Sequence, residues 1–331
     1  MTSSVVPRRL TAGDRIRVIA PSMSRPVVME HDNTEFAVRH LTEELGLEID
    51  FGDHVDEIGP LDTAGVAARV DDLHAAFADD SVAGILTVIG GYLSNQLLPH
   101  LDFDLIAAHP KVFCGYSDIT ALANAIHAVT GLVTYVGPHW SSFGMRDHFE
   151  PTQEWFRRAT FTTDPIVVEP STWWSDDAWF ADQDHRELLP TDGWWSLRPG
   201  EATGPLLGGN LCTLNLLQGT AWMPSLAGRM VFVEDDYLSF PALFARDLTS
   251  LFQLPGADQA AGLIIGRFQG ESGVTRDHLD AMIADIPALQ GKPVLANVDF
   301  GHTMPLLTIP VGGTAHLSVG ADVGLTINPR R

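Results

Sequence analysis

The chain has 331 residues, 45% of them hydrophobic and 19% charged, enough to bury a full core in two domains or one large one. Its 42 acids outnumber 20 bases, and a formal charge of −22 repels phosphate backbones and argues against a nucleic-acid partner. Two cysteines, Cys114 and Cys212, with no CxxC pair, fit a reduced cytoplasmic interior rather than a disulfide framework. No apolar run of signal-peptide length follows Arg8-Arg9, and the longest apolar stretches are strand-sized, so no membrane span is expected.

The first predicted strand is 15–21, ending at Pro21-Ser22. Residues 35–45 have helical spacing and stop at Gly46; a short strand follows at 47–51. A helix at 64–77 puts Val70, Leu73 and Phe77 on one face. The run 82–89 is almost continuously apolar, as in a strand buried on both faces, and Gly90-Gly91 follows at once. Short helices are read at 95–101 and 105–108, a strand at 112–116, a helix at 119–129 and a strand at 132–136. Strands alternating with helices predict a doubly wound parallel sheet, with ligands at the C-terminal ends of its strands.

After Phe149 the character changes. A helix at 152–159 and a strand at 166–169 lead into 171–195, which holds Trp173, Trp174, Trp179, Trp194 and Trp195 among several acids. These rings either pack a long connection onto the body or form a flat platform for substrate. A second αβ region begins at Gly204. Strands are predicted at 229–235, 261–266 and 293–298, with helices at 240–251 and 276–286. Three more strands, at 306–311, 315–319 and 324–327, are expected to close this domain as an antiparallel group. The resulting division is an N-terminal α/β domain at 1–150, an aromatic connecting and substrate loop at 151–203, and a C-terminal β/α domain at 204–331.

The chemistry centres on Lys111-Val-Phe-Cys-Gly-Tyr-Ser117-Asp-Ile. A strand that turns sharply into a helix lifts the Ser117 hydroxyl from the sheet edge and aims the first helical N–H groups at the same space. The same residues also describe a serine that merely caps a helix. A nucleophilic serine needs a base and a group to orient that base. His302, in a loop after a strand end and beside Gly301, is the candidate base. Glu234, at the end of the apolar strand 230–233, is the candidate orienting acid, with Asp235 and Asp236 as neighbouring competitors. Serine in one domain and acid and base in the other would put the site between domains. Cys114 is set aside as nucleophile because it lies inside the strand, and no histidine or cysteine stands near His302 at metal-ligand spacing. No cofactor and no metal are expected.

Several blocks, in order, resemble the LD-carboxypeptidase family of serine peptidases: Gly13-Asp-Arg-Ile-Arg-Val-Ile-Ala-Pro-Ser22, Ile-Gly-Gly-Tyr with Asn95-Gln-Leu-Leu-Pro99, Gly-Tyr-Ser117-Asp-Ile-Thr-Ala-Leu, Gly-Gly-Asn210-Leu, Phe-Val-Glu234-Asp and Asp-Phe-Gly-His302-Thr-Met-Pro. The resemblance covers nearly the whole chain. It implies a Ser117–Glu234–His302 triad and an oxyanion hole from the backbone amides of Gly91 and Asp118. It also implies a swivelling C-terminal β/α domain and a homodimer. The family has a muropeptide branch, which releases terminal D-alanine in wall recycling, and a microcin C immunity branch, which cuts peptidyl- or aminoacyl-nucleotides. The loop Ser94-Asn95-Gln96-Leu97-Leu98 and the tryptophan-rich insert look closer to the second. Asn95, Asn210 and Trp173 or Trp174 are then the candidate substrate contacts.

Overall fold

The computed structural model describes residues 4–28 and 33–329; residues 1–3 and 330–331, the outermost ends of the two expected domains, lie outside it. Two sheets carry the architecture. The first runs, in spatial order, Ile309–Val311, Thr134–Val136, Val112–Gly115, Val82–Thr87, Arg15–Ile19 and Glu48–Phe51. All its neighbours pair in parallel except the first pair. The second runs Ile166–Val168, Gly324–Asn328, Thr314–Val319, Gly200–Asn210, Met230–Glu234, Gly262–Gly266, Val294–Val298 and Trp195–Arg198. Its middle four strands are parallel and its outer ones antiparallel.

Period-two alternation explains how strands this apolar fill two layers at once. Val112 and Cys114 face one hydrophobic layer, and Phe113 between them faces the other. Met230 and Phe232 join the first layer, Val231 and Val233 the second. Each layer therefore draws on both sheets.

One expectation is corrected. The run 306–311 does not close the C-terminal domain beside 315–319 and 324–327. Its strand Ile309–Val311 crosses back and caps the edge of the first sheet, with Ile309 opposite Val136 and Val311 opposite Thr134. Pro310 has no N–H to give a further strand, which suits an edge position. The expected connection at 151–203 also contributes both outermost strands of the second sheet. The helix expected at 35–45 is present, but its second half, His40–Glu44, is wound more widely as a π-turn. Among the described residues no helix is long and apolar enough to cross a membrane.

Candidate active site

The strand Val112–Gly115 delivers the chain to Tyr116, still extended, and Ser117 then adopts φ +61° before the helical turn Ser117–Ile119 and the helix Thr120–Thr130. A non-glycine residue in the left-handed region is sterically costly and is held there by its surroundings. The strain thus sits on the serine itself. Gly115 serves a different need, because a Cβ there would lie 2.2 Å from Thr87 Oγ1.

Glu234 ends the strand Met230–Glu234 and is 1% exposed. His302 lies in the loop after Val294–Val298. Gly301, at φ +110°, lets that loop close over the carboxylate, since a Cβ there would stand 2.8 Å from Glu234 Oε2. The three side chains come together as a relay. Ser117 Oγ is 3.1 Å from His302 Nε2, and His302 Nδ1 is 2.7 Å from Glu234 Oε2. Burial opposes protonation of His302, but the charge and hydrogen bond of Glu234 outweigh it, so the imidazole pKa is held above its ordinary value. Asp235 and Asp236 add to the same pull. Asp235 is itself buried and does not reach His302. It accepts from Asn210 Nδ2 (3.2 Å) and from the N–H of Asp236 (3.1 Å), and burial followed by the charge of Glu234 raises its pKa to about 7.

Asp118 ties the surrounding loops to the serine. Its Oδ2 accepts from Ser22 Oγ (2.7 Å) and from the N–H of Ser94 (2.8 Å), and its carbonyl accepts from Ser94 Oγ (2.6 Å). Gly90 passes directly beside Ser117, and Gly91 beside Ser22 and Met23. Both line, with Ser117 and His302, a cavity of about 710 Å³. Tyr116 packs between two imidazoles at the cavity wall, 5.3 Å from His302 and stacked on His139 at 4.4 Å between ring centroids.

Asn95, Asn210, Trp173 and Trp174, the expected substrate contacts, are not among the residues that line this cavity. Asn210 is 2% exposed and caps the helix Leu211–Asn215, accepting from the N–H of Thr213 while it donates to Asp235. Asn95 stands half-buried on the turn Ser94–His100, outside the cavity. Trp173 and Trp174 form a two-stranded ribbon with Leu189–Pro190. Trp173 meets His148 edge-on at 5.9 Å, and the Arg267 guanidinium lies over Trp174 at 5.8 Å.

Further along the insert, Ser175 and Met304 exchange backbone hydrogen bonds of 2.9 and 2.7 Å. Asp176 Oδ2 accepts from the N–H of Gly270, and Asp177 is paired with Arg186. These ties bring Trp179 and Phe180, rather than Trp173 and Trp174, to the cavity. Gly90-Gly91, expected at a strand end beside Ser117, does line the cavity, whereas Trp179 is one of five tryptophans in its stretch and His139 carries no local signal. The Trp179-Phe180 pair next to acids that could be tied down was the available signal.

Cys114 is completely buried, its Sγ donates to the Pro138 carbonyl at 3.4 Å, and burial raises its thiol pKa. It has no route to the cavity chemistry. Among the described residues, no three His, Cys, Asp or Glu side chains converge as a metal site.

With this geometry in view, comparison with known proteins gives a direct answer. Residues 16–137 match the LD-carboxypeptidase N-terminal domain, and residues 203–317 match the LD-carboxypeptidase C-terminal domain. The chain belongs to the LD-carboxypeptidase family. It is a peptidase, as that membership and its carboxypeptidase-named relatives show. An MccF-like protein from Bacillus anthracis str. Ames has a solved structure that superposes with a TM-score of 0.96 at 45% identity, over 98% of this chain and 99% of that one. YocD of Bacillus subtilis (strain 168) is 44% identical over 93% of this chain and 94% of its own. The microcin C7 self-immunity protein MccF of Escherichia coli is 31% identical over 92% of this chain and 90% of its own. A structure of MccF in complex with glutamyl sulfamoyl guanosine superposes with a TM-score of 0.87 at 26% identity, over 97% of this chain and 98% of that one. A Bacillus subtilis (strain 168) protein named as a probable murein peptide carboxypeptidase is 32% identical over 94% of this chain and 91% of its own.

Proposed function

We propose that this LD-carboxypeptidase family member hydrolyses an amide bond with Ser117 as nucleophile, and that its substrates are aminoacyl- or peptidyl-nucleotides. The observation that carries the reading is the continuous relay from Ser117 through His302 to Glu234 at the wall of the 710 Å³ cavity. His302 takes the serine proton as Oγ attacks the carbonyl carbon, then returns it to the leaving nitrogen. Glu234 keeps the imidazole in the right tautomer and stabilises its charged form. The developing oxyanion is assigned to the backbone N–H groups of Gly91, which lines the cavity, and of Asp118, in the helical turn that begins at Ser117. Water then attacks the acyl-serine, with His302 again as base.

The nucleotide part of the proposal draws on the Trp179-Phe180 pair in the cavity and on the MccF relative whose structure holds glutamyl sulfamoyl guanosine. An indole face stacks on a nucleobase and offers little to a D-alanine tail. A second reading, muropeptide cleavage, is favoured by the murein-named relative at 32% identity. A cytoplasmic homodimer belongs to the same proposal through the family likeness, and sedimentation at micromolar concentration tests the dimer. The deciding experiment offers the protein an aminoacyl-sulfamoyl adenosine and, separately, a muropeptide tetrapeptide. Cleavage of the first alone supports the proposal; cleavage of the tetrapeptide alone replaces it with the second reading.

A further inference from the structure

We propose that His139 is a specificity-determining residue of this cavity, presenting an uncharged imidazole N–H to an acceptor oxygen of the substrate. The inference rests on the reading of Ser117 as the reacting group. His139 lines the cavity together with Ser117, Ser141 and His302, yet it is only 4% exposed, so what it shows there is a small part of its ring. It plays no part in the Ser117–His302–Glu234 relay.

Its environment fixes both its orientation and its charge. Ser141 Oγ and Ser142 Oγ lie 2.9 and 3.0 Å from the same ring nitrogen, Nδ1. We take a hydroxyl to donate to Nδ1, which leaves the single proton of a neutral ring on Nε2. Tyr116 stacks on the ring at an interplanar angle of 16°, which stops it from turning away. Burial first, and the charge of His302 second, push the His139 pKa down to about 3, so the ring stays uncharged while His302 changes state beside it.

The partner of such a group is an acceptor oxygen, such as a carbonyl or sulfonyl oxygen beside the scissile bond. Asp176, Asp177, Asp236 and Glu271 also line the cavity, and among the described residues no lysine or arginine does. A free carboxylate would meet repulsion from these four acids, answered among the cavity's side chains only by the protonated form of His302, which Glu234 already pairs. The oxygens flanking the amide of an aminoacyl-sulfamoyl nucleoside have the required chemistry.

Binding is measured in a Ser117→Ala background, so that aminoacyl-sulfamoyl adenosine is not consumed. Adding His139→Phe keeps a flat ring on Tyr116 and removes the donor; Kd should rise about tenfold, as for one lost neutral hydrogen bond. His139→Gln, which can still donate, should recover most of that loss. With Ser117 intact, His139→Phe should raise KM by a similar factor and lower kcat much less. An unchanged Kd overturns the proposal. So does a loss confined to kcat at unchanged KM, because His139 would then only brace Tyr116 and His302. Should His139→Phe fail to fold, Ser141→Ala combined with Ser142→Ala carries the test: with neither hydroxyl left on Nδ1, binding should weaken about threefold, and an unchanged Kd again overturns the idea. Turnover by Ser117→Ala itself would instead refute the underlying reading of the nucleophile, whatever the His139 variants do.

Discussion

Gly90 and Ser117 are in such close contact that a methyl group on the glycine would stand 2.7 Å from the serine Cβ and 2.9 Å from its Oγ. It would also come within 3.2 Å of the Asp118 nitrogen. The strand Val82–Thr87 therefore delivers, three residues past its end, a piece of backbone that only glycine allows beside the strained serine. Gly90→Ala must displace Ser117 or its loop. A shift of about 1 Å at a reacting atom costs on the order of 10²-fold in rate, whereas overpacking of this size costs about 1–3 kcal/mol in stability. We expect kcat/KM to collapse while the protein stays folded. Wild-type activity in a folded Gly90→Ala protein would show that the loop yields and that the contact is not part of the site.

Members of a triad act as a unit. Ser117→Ala should abolish most turnover with little change in melting temperature, and adding His302→Ala should cost almost nothing more. Glu234→Gln keeps the hydrogen-bonding shape and removes the charge, with a loss of roughly 10²–10⁴-fold expected from orienting acids in other triads. A double Ser117→Ala, His302→Ala mutant far slower than either single one would break the assignment. A large loss in Asp235→Asn with none in Glu234→Gln would move the acid one residue along.

The pH profile follows from the electrostatics of His302. The base must be neutral to accept the serine proton, so activity falls on the acid side as His302 protonates. Glu234 holds that pKa above 6.5, its ordinary value, so the acid limb of kcat/KM should have its midpoint above 6.5. In Glu234→Gln the residual activity should persist to lower pH, because the imidazolium has lost its partner. Asp235, raised to about 7, ionises in the same window, and its charge favours the protonated His302. Asp235→Asn should therefore move the acid limb downward as well. For stability the sign is reversed. A raised folded-state pKa stabilises the fold most below the unfolded value, and that contribution is lost as pH rises through the folded one. An acid limb unmoved in both variants would contradict this account.

Substrate choice should depend on Trp179 rather than on Trp173 and Trp174. A stacked base gains on the order of 1–3 kcal/mol from an aromatic ring, roughly 5- to 150-fold in specificity constant. Trp179→Ala should cost an aminoacyl-nucleotide that much and a tetrapeptide little. Truncating Trp173 and Trp174 together should lower the melting temperature and affect both substrates alike, since the two rings pack on His148 and Arg267 and do not line the cavity. Equal losses for both substrates in Trp179→Ala would remove the aromatic argument for the nucleotide reading.

The strands 82–89 and 112–116 were legible by themselves because a parallel strand buried on both faces must be apolar at nearly every position. Glycines after strand ends, a serine before a helix and an acid closing an apolar strand are likewise local signals. They were enough to nominate Ser117, Glu234 and His302 and, through motif order, the family. Other features depend on partners far away in the chain. Ile309–Val311 reads as one more strand of the second domain, and only the open edge at Thr134–Val136 decides that it leaves for the first sheet. Asn210 looks like a substrate contact until the helix it caps and the buried Asp235 it meets are in place. Trp173, Trp174 and Trp179 are equivalent as letters; the backbone tie between Ser175 and Met304, with the Asp176 and Asp177 anchors, brings the third to the cavity while the first two stay out of its lining. Gly90 shows the same division, because its need for a bare Cα comes from Ser117, 27 residues further along, and exists only once their two strands lie side by side.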